Sequence, residues 1–281
     1  MNEIAICDWN AFEDESEHLL ERMRARHASL ERFSPVLFRG QADARWELTT
    51  TLERYSSLSY PLGEYYKILM AIAPAVSSLT AKSWPLVPEA TVDEAAIGPP
   101  PGYEFMIHVR HHGFPSPLLD WSRSPYVAAF FAFCDSREST DGLSAAVYAF
   151  VERLGIVKSY GPDARIIGLG PYAVTHERHY AQQCEYTICK MPVDRSGTER
   201  WVYCSHQKAL ERGGEYQDVI RKFVIPWSQR DAFLAKLDQM NINAYSLYRD
   251  EASLMRMLAF REIGSLAGAA RPSDQQKGRR D

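Results

Sequence analysis

Leu118-Leu119-Asp120-Trp121-Ser122-Arg123-Ser124-Pro125-Tyr126-Val127-Ala128-Ala129-Phe130-Phe131-Ala132 is the stretch whose reading decides the fold. Ser124 stands where a helix N-cap belongs and Pro125 at the first helical position, the arrangement that helix starts favour. Val127, Ala128, Phe131 and Ala132 then give that helix an apolar face. Just upstream, His111 to Ser122 reads as a rigid apolar turn with polar residues at both ends, preceded by a helix over Tyr103 to His112.

Outward from this stretch, Pro35 to Arg39 is strand-like and stops at Gly40, while Ala145 to Val151, Tyr186 to Cys189 and Tyr216 to Ile225 read as strands. Helices are expected over Phe12 to Phe33, over Leu62 to Leu79 with Pro74 inside, over Arg230 to Met240 with Ser228 as cap, and over Glu251 to Ile263. The proline-rich segment between them, with Pro85, Pro88 and Pro99 to Pro101, is a loop. These elements predict an α+β fold: one mixed core of short strands with surrounding helices. Residues 1–32 form an N-terminal helical extension, 33–264 the α+β domain and 265–281 a disordered tail.

The chain has 281 residues, 46% hydrophobic and 24% charged, which excludes a disordered polymer. The longest apolar run is Tyr126 to Cys134, too short to span a bilayer, and no signal peptide is read at the start. Five scattered cysteines without a CxxC pair fit a reducing compartment, so a cytoplasmic protein is expected. A formal charge of −4 gives no general attraction to nucleic acid or membrane.

Two segments carry candidate chemistry, and the functional site is expected where Phe38 to Gln41 meets His111 to Ser122. Arg39, at a strand end beside Gly40, offers a fork of donors to a phosphate or carboxylate; the alternative is a structural ion pair with Asp43 or Asp120. In the second segment His111 and Asp120 could do acid/base work or orient a ligand. Equally, Asp120 and Ser122 could satisfy backbone donors ahead of the helix, with one of His111 and His112 a hydrogen-bonded core residue. His176 and His179 share a helical face, but no third ligand stands at a familiar spacing, so no metal is expected. Cys184 and Cys189 read as packing residues. Trp201, Tyr203, Tyr216 and Phe223 read as core rather than a base-stacking set.

Phe38-Arg39-Gly40-Gln41 with Trp46, then His111-His112-Gly113-Phe114-Pro115, then Leu118 to Ala132, resemble the FRG-domain family over about Phe33 to Leu258. Pro117 stands where that family usually has an arginine and Thr50 where it has a proline. Asp120 to Ser124 with Val127-Ala128 and Phe131-Ala132 also resemble the strand-to-helix segment of arginine-type ADP-ribosyltransferases. That second resemblance implies NAD as substrate: Arg39 holding its phosphates or ribose, Ser122 shaping the nicotinamide pocket, and Glu185 facing the oxocarbenium-like sugar. Gln41, His111, Asp120, Trp121 and Gln182 would form the surrounding binding shell. Three readings are open. One is an NAD-using ADP-ribosyltransferase or glycohydrolase, suited to a toxin or phage-defence effector and acting on a nucleic-acid or protein acceptor. Another is a non-catalytic nucleotide- or nucleic-acid-binding module. The last is a protein-interaction domain, with a homodimer through the N-terminal helix.

Overall fold

In the computed structural model, residues 2–28, 33–56, 60–88, 93–135, 142–154, 163–171, 173–174, 177–195, 198–211 and 218–264 are described. Their elements, in chain order, are β1 (Asn2–Ala5), α1 (Trp9–Ala28), β2 (Leu37–Gln41), α2 (Thr51–Tyr55), α3 (Leu62–Thr80), α4 (Tyr103–His111), β3 (Leu119–Ser122), α5 (Pro125–Phe133), β4 (Ser144–Val151), β5 (Arg165–Gly168), α6 (Glu177–Ala181), β6 (Cys184–Arg195), β7 (Thr198–Tyr203), α7 (His206–Glu211), β8 (Val219–Pro226), α8 (Arg230–Gln239), α9 (Ala244–Tyr248) and α10 (Glu251–Ala259). The fold is α+β, as expected from the sequence. A mixed sheet runs β1-β8-β4-β2-β3-β6-β5, with β7 paired to β6. Among the described residues only the β1–β8 pairing is parallel; the other registers are antiparallel.

β4 is buried along nearly all of its length, which is why its sequence, Ser-Ala-Ala-Val-Tyr-Ala-Phe-Val, hardly alternates. Its Val147 and Ala149 join Phe38, Phe223 and the apolar face of α5 in one cluster, with Phe12 and Leu19 of α1 and Phe233 and Leu237 of α8 closing it. Farther along the sheet, Tyr186 and Ile188 pack against Tyr65 and Leu69 of α3 and Phe105 and Met106 of α4. A third cluster gathers Leu37, Trp121, Tyr148, Phe150 and Ala209 of α7. Residues 2–28, read from the sequence as an extension, thus add β1 to the sheet edge and the buried Trp9, Phe12, Leu19 and Met23 to the core.

Ser124 caps α5 as its position suggests, accepting from the Val127 amide at 3.3 Å. Ser228 does not cap α8. It lies inside a 3-10 turn, Trp227–Gln229, and no side chain bonds the amides that open the helix. Pro74 is accommodated within α3. The tail from 265 and residues Tyr216 and His176 lie outside the described residues. No described helix is long and apolar enough to cross a membrane.

Candidate functional site

The site begins with a split in the sheet. β2 and β3 share one register pair, Phe38 with Ser122, whereas β2 pairs with β4 along all five of its residues. Beyond that pair the two strands diverge, and the Arg39 side chain spans the gap. Its Nη1 donates to the Asp120 carbonyl at 2.8 Å and to the Asp120 carboxylate at 2.5 Å. Gly40 lies beneath α5, where an added Cβ would stand 1.9 Å from the Ala128 carbonyl oxygen and 2.6 Å from the Ala132 amide nitrogen. A side chain there would push the helix off the strand, so the glycine sets how close the roof comes to the floor.

A cavity of about 260 Å³ opens at this split. Phe38 to Ala42 and Asp120 to Ser122 form its floor, Ala128 and Phe131 one wall, and Trp46, Arg54, Gln182 and Tyr248 stand around it. Arg110, at the end of α4, also pairs with the Asp120 carboxylate and donates to Thr51 Oγ1 at 2.9 Å. Burial alone would raise the Asp120 carboxyl, but the Arg110 and Arg39 guanidiniums outweigh it and hold the group well below the usual carboxylate range. With 43% of the Asp120 side chain still exposed, this ionic group sits on the cavity wall rather than sealed behind it.

Arg54 is carried to the cavity by α2. Thr50 opens that helix with a reciprocal cap: its hydroxyl accepts from the Glu53 amide at 3.2 Å, and the Glu53 carboxylate accepts from the Thr50 amide at 2.8 Å. Partial burial, with the charges of Arg39 and Arg110 close by, lowers the Arg54 pKa. Among the described residues its guanidinium has no ion-pair partner, and the Nε of Arg39 is buried without an acceptor. Three guanidiniums thus lie about the Asp120 carboxylate, and Asp135 is the second carboxylate on the cavity lining.

The other residues singled out from the sequence divide. Gln41 lines the cavity and donates to the Glu47 carbonyl at 3.2 Å, leaving its Oε1 buried and unbonded among the described residues. Gln182 lines it too, anchored to the Leu247 carbonyl at 3.1 Å. The Ser122 hydroxyl is engaged on both sides, donating to the Gln182 carbonyl at 2.8 Å and accepting from the Ser124 amide at 3.1 Å. Trp121 is buried and its indole donates to Thr187 at 2.9 Å, on the side of the third cluster. Glu185 pairs in register with Trp121, whereas Tyr186 and Cys184 pair with Asp120 and Ser122. Strand alternation therefore turns Glu185 to the face opposite Asp120 and Ser122, and Arg123 holds its carboxylate there. His111 is not at the cavity lining; its Nε2 lies 2.9 Å from the Tyr186 hydroxyl.

Residues 34–141 match the FRG domain. The matched span holds Arg39, Gly40, Arg54, Arg110 and Asp120, the whole ionic cluster at the sheet split, while Gln182, Glu185 and Tyr248 lie beyond it. Comparison with curated proteins gives no match, and neither does comparison with solved structures. Within the FRG segment, the sequence pointed to Arg39, Asp120 and Gly40 but missed Arg110. That residue looked like an ordinary cation at a helix end, and only the turn back of the chain from α4 into β3 brings it onto Asp120. Tyr248, more than a hundred residues downstream of β3, carried no signal.

Proposed function

We propose that the cavity at the sheet split binds a nucleotide, as a non-catalytic module. The phosphate lies against Arg39 and Arg54, and the base stacks on Trp46, whose side chain borders the cavity and is 52% exposed. The observation that carries this reading is Arg54 on the lining: Asp120 is engaged by Arg39 and Arg110, and among the described residues neither it nor Asp135, the other carboxylate of the lining, forms an ion pair with Arg54. Burial, and after it repulsion from Arg39 and Arg110, lowers the Arg54 pKa, and bringing a dianion into that space relieves the repulsion. A volume near the lower end of small-ligand pockets, about 300 Å³, suits a mononucleotide better than an enclosed dinucleotide.

The test is equilibrium binding of AMP, ATP, NAD and a short oligonucleotide to the purified chain at two salt concentrations. Arg54→Ala is expected to weaken mononucleotide binding about 10-fold or more, the worth of one charge-assisted hydrogen bond, without lowering the melting temperature. Equal affinity of the variant and the natural chain, or no binding at millimolar ligand, would remove the proposal.

A second reading keeps NAD as a consumed substrate, because Arg39, Ser122 and Gln182 do border one cavity. It assigns Glu185 the oxocarbenium-stabilising role, which requires that carboxylate, absent from the cavity lining, to leave Arg123. Nicotinamide release that disappears in Glu185→Gln would establish this chemistry. NAD bound but recovered intact fits the module instead.

A further inference from the structure

Beside the cavity, three groups from separate elements converge. His111 from the end of α4, His179 from α6 and Cys184 from the start of β6 place one donor atom each within 4.8 Å of one another. Their side chains surround the hydroxyl of Tyr186. That oxygen lies 2.9 Å from His111 Nε2 and 3.3 Å from His179 Nδ1, and the His179 and Tyr186 rings stack, with centroids 5.8 Å apart and planes at 12°. Hydrogen bonding alone gives an ordinary account of the two imidazoles around a phenol. The third corner is a thiol, within hydrogen-bond reach of the same Tyr186 hydroxyl and 3.6 Å from the Gln182 side-chain oxygen.

We propose that His111, His179 and Cys184 form a zinc site. Two imidazoles and one thiolate are a donor set that suits zinc, and three protein ligands leave a fourth position open. Bond lengths of about 2.0–2.1 Å to nitrogen and 2.3 Å to sulfur put tetrahedral ligand atoms about 3.3–3.7 Å apart. Side-chain rotation by an ångström or so therefore closes the present triangle. His179 is already oriented as a ligand, because its Nε2 lies 3.4 Å from the Pro171 carbonyl, a contact that keeps the proton on that nitrogen and the Nδ1 lone pair turned inward. The fourth position falls to the Tyr186 hydroxyl or to a water entering past Cys184, which lines the cavity wall. On binding, the Cys184 sulfur forms its bond to zinc and loses its proton to solvent; no electrons are exchanged. Cys184 borders the nucleotide cavity, but none of the three ligands belongs to the arginine cluster, so the zinc test stands whether or not a nucleotide binds.

The test uses the full chain, stripped with chelator, incubated with zinc chloride or cobalt chloride and desalted. One zinc per chain is expected by elemental analysis, and the cobalt form should show a near-ultraviolet thiolate-to-cobalt band. Cys184→Ser should abolish that band and cut the zinc content at least fivefold. Cys189 and Cys204, whose sulfurs lie 3.2 Å apart, are a second source of thiolate, so Cys189→Ser combined with Cys204→Ser serves as control and should leave both readouts intact. Should Cys184→Ser fail to melt cooperatively, His111→Asn, at a partly exposed position, carries the same test. Zinc content below about a tenth per chain in the folded natural protein, or a band that follows Cys189 and Cys204 rather than Cys184, overturns the proposal.

Discussion

Gly40 lies so close under α5 that a methyl group there meets the helix backbone rather than a flexible side chain. Overpacking normally costs about 1–3 kcal/mol, and a rigid helix backbone puts Gly40→Ala at or above the upper end. Chemical denaturation should show a loss of about 3 kcal/mol or a chain that does not fold; a change below 1 kcal/mol would mean that α5 slides freely over β2. The sequence already carried this point, because a glycine ending a buried strand invites close approach. What approaches could not be read, since the partner atoms lie about ninety residues away. Arg39 was legible in a similar way. Its ion pair with Asp120, one of the two acids weighed, exists, yet it stands on a cavity wall, so structural pairing and ligand contact are compatible there. Ser122 was the opposite case: a serine just ahead of a capped helix is most simply a turn residue, and its hydroxyl accepts from the Ser124 amide of that turn while donating to the distant Gln182 carbonyl.

Among the elements, those with strong local signals were legible: α5 from its Ser-Pro start, β4 from its unbroken apolar run, α3 from its periodicity. β1, β5 and β7 were not. Each is a short strand of four to six residues whose sequence mixes charged and apolar positions, so its identity comes from the neighbour it pairs with. The most consequential difference concerns α1. Its apolar stripe was visible, and it faces the protein's own sheet: Phe12 makes ring contacts with Phe223 of β8 and Phe233 of α8, at centroid distances of 6.0 and 5.5 Å. Phe12→Ala is therefore expected to cost about 3–5 kcal/mol. Deleting residues 2–28 removes five buried apolar residues, Ile6, Trp9, Phe12, Leu19 and Met23, roughly 8–15 kcal/mol of burial, comparable to the whole stability of a domain. The deleted chain should give no cooperative melt; a folded product would show that β1 and α1 are dispensable.

For the whole molecule, pH is expected to act through buried histidine. His206 is 1% exposed, with its Nε2 3.0 Å from the Thr187 hydroxyl, and burial pushes its pKa down to about 3. The unfolded chain takes up that proton near pH 6.5 while the native protein does not, so stability is full above pH 6.5 and falls as pH drops toward 3. One such group contributes a slope of at most about 1.4 kcal/mol per pH unit. Urea midpoints between pH 7 and pH 4 should therefore decline less steeply in His206→Gln than in the natural chain; parallel slopes would place the acid sensitivity elsewhere.

The parallel pairing of β1 with β8 also has a consequence for how the protein is made. Asn2 is opposite Arg221, roughly two hundred residues later in the chain. At about 5–20 residues per second, a ribosome leaves β1 and the greasy stripe of α1 waiting some 10–40 s for the strand and helix that will cover them. During that interval they are natural clients for a chaperone, and the sheet edge is completed only once β8 has emerged.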